Sequence, residues 1–271
     1  MKTAQKLPRF GDAVRRHARV ILPRLSVRRI LNPAGLWLDI KRRTLKVKSK
    51  PIIAKIEASN NCTLKCLGCR SGDAAVTYPA GNIAPEVFEK TLDELGDYLF
   101  EIIFYLWGEP TMNKNLPDLV ESAHKRNISV SISTNLHFLS EDYCRSLVQS
   151  GLDKMIAALD GFSRESYESV RRGGDFKLAL ENLERIVRIR KEMGSRKPVI
   201  EWQYVVTDLT INEIEQAEKF ASGLGIDRFV LLQDWAGRLT DWRFFEKLPG
   251  FRKKLTDQKK SCYWLYAATT I

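Results

Sequence analysis

The chain has no apolar run long enough to span a bilayer, and no apolar segment followed by a small-residue cleavage site opens it. Neither a transmembrane helix nor a secretory signal is therefore expected, and the default compartment is the cytoplasm. Histidine is scarce, with three in 271 residues. No His and no Cys lies between Cys69 and His124, so a zinc site built on nearby thiols would lack its fourth ligand. His124 and His137 offer no arrangement for a triad or a metal and read as surface or cap residues. Internal repeats and low-complexity segments are absent. Acid is scarce in one place only: residues 1–50 hold 15 Lys and Arg against 2 Asp, and the remainder holds 29 basic against 31 acidic residues. A nucleic-acid enzyme would more often carry its basic patch across the body, so no nucleic-acid partner is expected.

What is present begins with that basic leader, residues 1–50. Phe10, Val14, Ile21, Leu22, Leu25, Ile30 and Leu31 fall near helical spacing, with Arg15, Arg16, Arg19, Arg28 and Arg29 between them. Pro23 would break such a helix. Two readings follow. One is an amphipathic helix on an anionic membrane surface. The other, which the proline favours, is a leader packed on the body with its arginines in water.

From Ile52 a βα alternation sets in. Strands are expected at Ile52–Glu57, Glu101–Leu106, Ile128–Ser133, Lys154–Leu159, Val199–Val206 and Asp227–Leu232. Helices are expected from Pro85 to about Tyr98, over Leu116–Arg126, and after a Ser140 cap to about Ser150. Further helices are expected at Ser163–Val170, Phe176–Met193 and Ile211–Leu224, the last ended by Gly225. Six such units make an α/β fold with a parallel sheet, whose ligands bind at the C-terminal ends of the strands. After Leu232 the pattern dissolves into a connector, and the chain stops at Ile271 within a β-rich run, as though cut short.

Three of the five cysteines fall within eight residues, Cys62-Thr63-Leu64-Lys65-Cys66-Leu67-Gly68-Cys69. They follow the first strand, at the binding rim. Clustered thiols in a reducing compartment point to a soft metal centre rather than disulfides. Three thiolates on a four-iron cluster leave one iron open. The alternative, three small buried hydrophobes, does not account for the spacing.

The C-x3-C-x2-C loop after a first strand resembles the radical S-adenosylmethionine (SAM) enzymes. Trp107-Gly108-Glu109-Pro110 resembles their GGEP segment, Thr134-Asn135 their Thr-Asn-Gly, and Leu159-Asp160-Gly161 their Ser-Leu-Asp-Gly. Val170-Arg171-Arg172-Gly173-Gly174 resembles the segment whose arginine meets the SAM carboxylate; Arg171 matches better than Arg172. The resemblance covers about residues 51–232 and implies a partial (β/α)6 barrel. It implies a 4Fe-4S cluster on Cys62, Cys66 and Cys69, with SAM on the open iron. Gly108 and Glu109 would engage the SAM amino group, Asn135 its ribose and Arg171 its carboxylate. The activity implied is reductive cleavage of SAM to a 5′-deoxyadenosyl radical that abstracts hydrogen from a peptide, glycan precursor or small metabolite. Flavodoxin or ferredoxin would supply the electron. Cys262-Tyr263-Trp264 resembles the start of a SPASM or twitch extension, so residues 233–271 are expected to be a connector and the beginning of that extension. An auxiliary iron–sulfur cluster would need further cysteines beyond Ile271.

The sequence departs from the family at four places: Gly68 for an aromatic near the adenine, Trp107 for the first Gly of GGEP, Leu136 for the Gly after Asn135, and Ala158 for Ser. Local structural roles also stand beside the implied ones. Glu109 could be a helix N-terminal charge, Asn135 a left-handed turn residue and Arg171 a solvated helix-end cation. Asp160 reads as a turn or cap, and Cys144 as core. Glu201 and Gln203 alternate with Trp202 and Tyr204, and are expected to face the barrel interior or to form a polar core pair. The alternative function is a non-catalytic iron–sulfur or zinc protein with a membrane-surface leader.

Overall fold

The computed structural model describes residues 21–72 and 79–233. The connector from residue 234, Cys262, and the leader positions Phe10, Val14, Arg15, Arg16 and Arg19 lie outside the described residues.

Among the described residues six strands form one sheet: β1 (Ile53–Lys55), β2 (Glu101–Ile103), β3 (Ser129–Thr134), β4 (Lys154–Ala158), β5 (Val199–Val206) and β6 (Arg228–Gln233). They lie in sequence order and every pair is parallel. Each helix carries the chain back across one face before the next strand is laid beside the last, the geometry of a right-handed crossover series. Among the described residues β6 does not close onto β1, so the wall is a partial barrel. β1 and β2 are shorter than expected. The chain leaves the ladder after Ile103 so that Tyr105–Glu109 can turn inward over the rim.

Among the described residues seven α-helices accompany the strands: α1 (Val27–Lys41), α2 (Pro85–Leu95), α3 (Leu116–Lys125), α4 (Glu141–Gln149), α5 (Arg164–Val170), α6 (Phe176–Glu192) and α7 (Ile214–Leu224). The starts obey local chemistry. Pro85 opens α2, and the Ser140 hydroxyl accepts from Tyr143 N–H at the start of α4. Ile211–Glu213 is a 3-10 turn rather than the first turn of α7, and Gly225 ends α7 at φ 87°. The core lies between the sheet's outer face and these helices. Ile102, Val130, Ile132, Met155, Ile200, Trp202 and Tyr204 meet Leu92, Val120, Leu147, Leu183 and Ala217 there. Each such aliphatic or aromatic side chain contributes about 1.5–3 kcal/mol by leaving water. Cys144 belongs to this core, as expected.

The leader corrects its reading. Pro23 sits in a 3-10 turn, Leu22–Arg24, and α1 follows with Pro33 inside it. The segment packs on the body with Arg28 in water as expected, but Arg24 and Arg29 are buried. Arg29 donates to the carbonyls of Arg24, Gly96, Arg126 and Asn127 at 2.9–3.1 Å. Gly96 and Arg126 cap the C-termini of α2 and α3, where unpaired carbonyls and the helix dipole favour a cation. Arg24 pairs with Asp153 at 3.1 Å, just before β4. All these partners sit where strands begin. The leader therefore floors the N-terminal end of the sheet, opposite the rim that carries the cysteines.

Candidate active site

The chain segments that leave β1 to β5 converge on one cavity of about 300 Å³ at the C-terminal rim. Its lining includes Cys62, Cys66 and Cys69 from the first loop, Gly108 and Glu109 from the second, and Asn135 from the third. Asp160 and Arg171 come from the fourth unit, and Val205 and Thr207 from the end of β5. Every residue singled out for cluster or cofactor contact thus lines the same space.

The cysteine loop is held from both sides. Lys65 N–H donates to Arg172 O at 2.8 Å and Leu67 N–H to Val170 O at 2.9 Å. Gly68 lies at φ 77°, a left-handed conformation that residues other than glycine rarely adopt. All three cysteines are free thiols of intermediate burial. Burial pushes Cys62 up to about 11 and raises Cys66 as well, so each favours its protonated form until a cation compensates the thiolate. Two side-chain N–H groups face the sulfurs: Asn135 Nδ2 lies 3.7 Å from Cys62 Sγ and Arg171 Nη1 lies 4.0 Å from Cys66 Sγ. Among the described residues no three metal-ligating side chains converge on a point for a single ion. Thiolates that each bind a different iron need not converge so. Three thiols, donors aimed at their sulfurs and an adjoining cavity fit a cluster with room beside it.

The second loop is clamped onto the first. Glu57 Oε1 accepts from Trp107 N–H and Gly108 N–H, both at 2.6 Å, and Glu109 N–H donates to Asn61 O at 2.7 Å. A Cβ on Gly108 would meet Ser59 O at 2.0 Å and Asn60 Cα at 2.6 Å. That glycine is required by close backbone approach. Trp107, where the family has another glycine, faces Arg70, whose guanidinium carbon lies 5.8 Å from the ring centroid. Sequence reasoning missed Glu57, whose role depends on a contact fifty residues away.

Glu109 is buried and caps the 3-10 turn Pro110–Met112. One carboxylate oxygen accepts from Thr111 N–H and Oγ1–H, the other from Asn135 N–H at 2.6 Å. Burial raises its pKa against the pull of these donors. The carboxylate is thus both a local cap and part of the cavity wall. Asn135 is not the left-handed residue. Its Oδ1 accepts from His137 N–H, and the positive φ, 71°, falls on Leu136. The family's glycine at that position answers to this backbone. Leu136 adopts it under strain, held by Thr134 Oγ1 on its N–H and Asn182 Nδ2 on its carbonyl. His137 is a cap, its Nε2 accepting from Asp175 N–H at 2.8 Å.

Arg171 is not a solvated helix-end cation. It caps α5 but turns inward, with Nη2 2.6 Å and Nε 2.7 Å from Asp160 Oδ2. Burial alone would lower its pKa; Asp160 outweighs that and holds the guanidinium charged. Asp160 spends its other oxygen on Val205 N–H at 2.7 Å, which ties β4 to β5. Arg172 does not line the cavity. On β5, Trp202 and Tyr204 enter the outer core, so alternation turns Glu201 and Gln203 to the inner face, as expected. There Gln203 Nε2 donates to Glu201 at 2.8 Å, and Arg228 of β6 pairs with the same carboxylate at 3.3 Å. Inner-facing residues and a polar pair are both realised.

Residues 56–222 match the family described as the Radical SAM superfamily. The chain belongs to that superfamily. Its cofactors are those of the family, a 4Fe-4S cluster and SAM, and it is a radical SAM enzyme. The reading as a non-catalytic metal protein is not favoured. One curated relative is the tungsten-containing aldehyde ferredoxin oxidoreductase cofactor-modifying protein of Pyrococcus furiosus, 26% identical over 180 residues, 65% of this chain and 49% of that protein. Another is the Fe-coproporphyrin III synthase of Methanosarcina barkeri, 28% identical over 137 residues, 50% of this chain and 34% of that protein. The radical SAM chain spans about half of the first relative's length and less of the second's. Among solved structures, SuiB of Streptococcus suis bound to S-adenosylmethionine superimposes with a TM-score of 0.62 at 17% identity, over 84% of this chain and 51% of that one. Native anSMEcpe with bound AdoMet gives 0.54 at 21% identity, over 68% and 51%. These two likenesses support the partial-barrel fold.

Proposed function

We propose that Cys62, Cys66 and Cys69 hold the cluster, that Gly108, Glu109, Asn135 and Arg171 bind SAM, and that the substrate enters the barrel interior beside them. The observation that carries this reading is convergence: seven residues from four separate segments line one cavity. When bound, the cluster and SAM supply reductive carbon–sulfur cleavage and a 5′-deoxyadenosyl radical for hydrogen abstraction. The chain's own residues bind, orient and exclude water. Asp160 fixes one edge of the Arg171 guanidinium and leaves the remaining donors for a carboxylate. Glu109, pinned by three donors, offers a rigid acceptor for an ammonium group. Asn135 reaches toward the cluster side through its amide.

The polar inner face formed by Glu201, Gln203 and Arg228 suits a hydrogen-bonding substrate: a peptide, a glycan precursor or a small polar metabolite. Peptide is the class that a fold neighbour's description names, SuiB bound to precursor peptide SuiA. A flavodoxin or ferredoxin would deliver the electron. The test is anaerobic reconstitution with iron, sulfide and reductant, followed by SAM. 5′-Deoxyadenosine is expected from the native chain and none from Cys66→Ala. A cluster that forms without any SAM cleavage would overturn the proposal.

A further inference from the structure

The leader is docked the wrong way round for a helix that packs on a protein core. Arg24 and Arg29 go in while Arg28 stays in solvent, and most of the apolar side chains go out. Val27, Ile30, Leu31, Trp37 and Leu38 are all exposed, Val27 at 72% and Leu31 at 64%. At 100° per residue these five fall on one arc of α1, opposite Arg29, Asn32 and Leu36 on the packed side. A basic rim borders the arc. Lys41 ends the helix with its Nζ 4.8 Å from the Trp37 ring centroid. The chain then returns along α1 through exposed Arg42, Arg43, Lys46, Lys48 and Lys50. That return is pinned by a reciprocal pair, Asn32 Nδ2 to Lys50 O and Lys50 N–H to Asn32 Oδ1, each 2.8 Å. Asp39 is the only acidic residue between 21 and 50. It is taken up by Ser49 Oγ at 2.7 Å and by the N–H groups of Lys48 and Ser49.

We infer that α1 and its basic return segment form a docking face for an anionic lipid surface. The arc would bury its aliphatic and indole side chains at the acyl–headgroup boundary, and the rim would meet lipid phosphates. Charge decides against the other occupants. A second copy brings the same basic face. Residues 1–20 carry six Lys and Arg against one Asp, and residues 234–271 carry eight against four acidic residues. Each of these would place like charge against like.

The test is cosedimentation of the full 271-residue chain with vesicles of phosphatidylcholine alone, or with about 30 mol % phosphatidylglycerol. Binding is expected on the mixed vesicles, to weaken with added salt, and to fall by about tenfold or more on the neutral ones. Val27→Glu/Leu31→Glu changes two side chains that touch solvent, and should lower binding by about tenfold with the thermal unfolding curve unchanged. Arg42→Glu/Arg43→Glu should lower it by about fivefold for each basic residue removed, on anionic vesicles only. The proposal is overturned if the native chain stays in the supernatant, or if Val27→Glu/Leu31→Glu sediments like the native chain. It is equally overturned by a lipid-free dimer that this double variant disperses.

Discussion

A single glycine decides how closely two loops of the site approach. Gly108 lies against the backbone of Ser59 and Asn60, and backbone cannot step aside as a flexible side chain can. Gly108→Ala is therefore expected to destabilise the fold by about 1–3 kcal/mol, as overpacking does. Urea unfolding would read this, and iron content after reconstitution should fall with it, because the loop that moves also carries Glu109. An unchanged midpoint with full iron content would contradict the account. At this scale the sequence was partly legible. The three cysteines, Gly108, Glu109, Asn135 and Arg171 could be placed because they sit in short motifs at strand ends. Their partners could not. The Arg171–Asp160 pair and the Glu57 clamp on Trp107 and Gly108 join residues 11 and about 50 positions apart, and no local pattern marks them.

The elements that frame the site are held by side chains at their ends. Glu213, at the start of α7, accepts from Phe162 N–H and Ser163 Oγ at 2.6 Å and from Ser166 Oγ at 2.5 Å. It thereby fixes the turn between β4 and α5 that presents Asp160. Burial pushes the carboxyl up, but the donors outweigh it and its pKa lies below the usual carboxylate range. A depressed folded value stabilises the protein above the unfolded pKa of about 4.3 and loses that contribution as pH falls through the folded value. Glu213→Gln should thus cost about 1–3 kcal/mol at pH 7. The gap should close in acid below the carboxylate range. Paired urea titrations at neutral and acidic pH would check it; a gap independent of pH would refute the role. Element positions themselves were readable where apolar and polar side chains alternate along a strand. β5 runs Val199–Val206 as expected, since its alternation separates Trp202 and Tyr204 from Glu201 and Gln203. β2 ended early because what stops it is a loop drawn over the cavity, which hydrophobicity does not encode.

For the whole molecule, the leader and the barrel are joined through two buried guanidiniums, Arg24 on Asp153 and Arg29. Arg29 satisfies carbonyls at the ends of two helices and beside β3. Arg29→Met would leave those carbonyls without their donor and is expected to cost about 2–4 kcal/mol. The loss should appear in the single unfolding transition of the barrel. A leader that were only an appendage would leave that transition unmoved, which is the result that would refute the coupling. This feature was the least legible of all. In sequence an arginine between apolar residues reads as the wet side of a helix, and only the three-dimensional placement of two helix C-termini makes it the buried side.

The floor and the rim lie at opposite ends of the strands. β5, with eight residues, spans about 26 Å at 3.3 Å per residue. If lipid meets the outward face of α1, the cavity opens at the other end of the strands from the leader that holds the lipid. Molecules dissolved in the aqueous phase would have direct access, whereas a chain anchored in the same bilayer would have to extend past the full height of the barrel. An enzyme held in this way is confined to a surface while drawing its reactants from the volume above it.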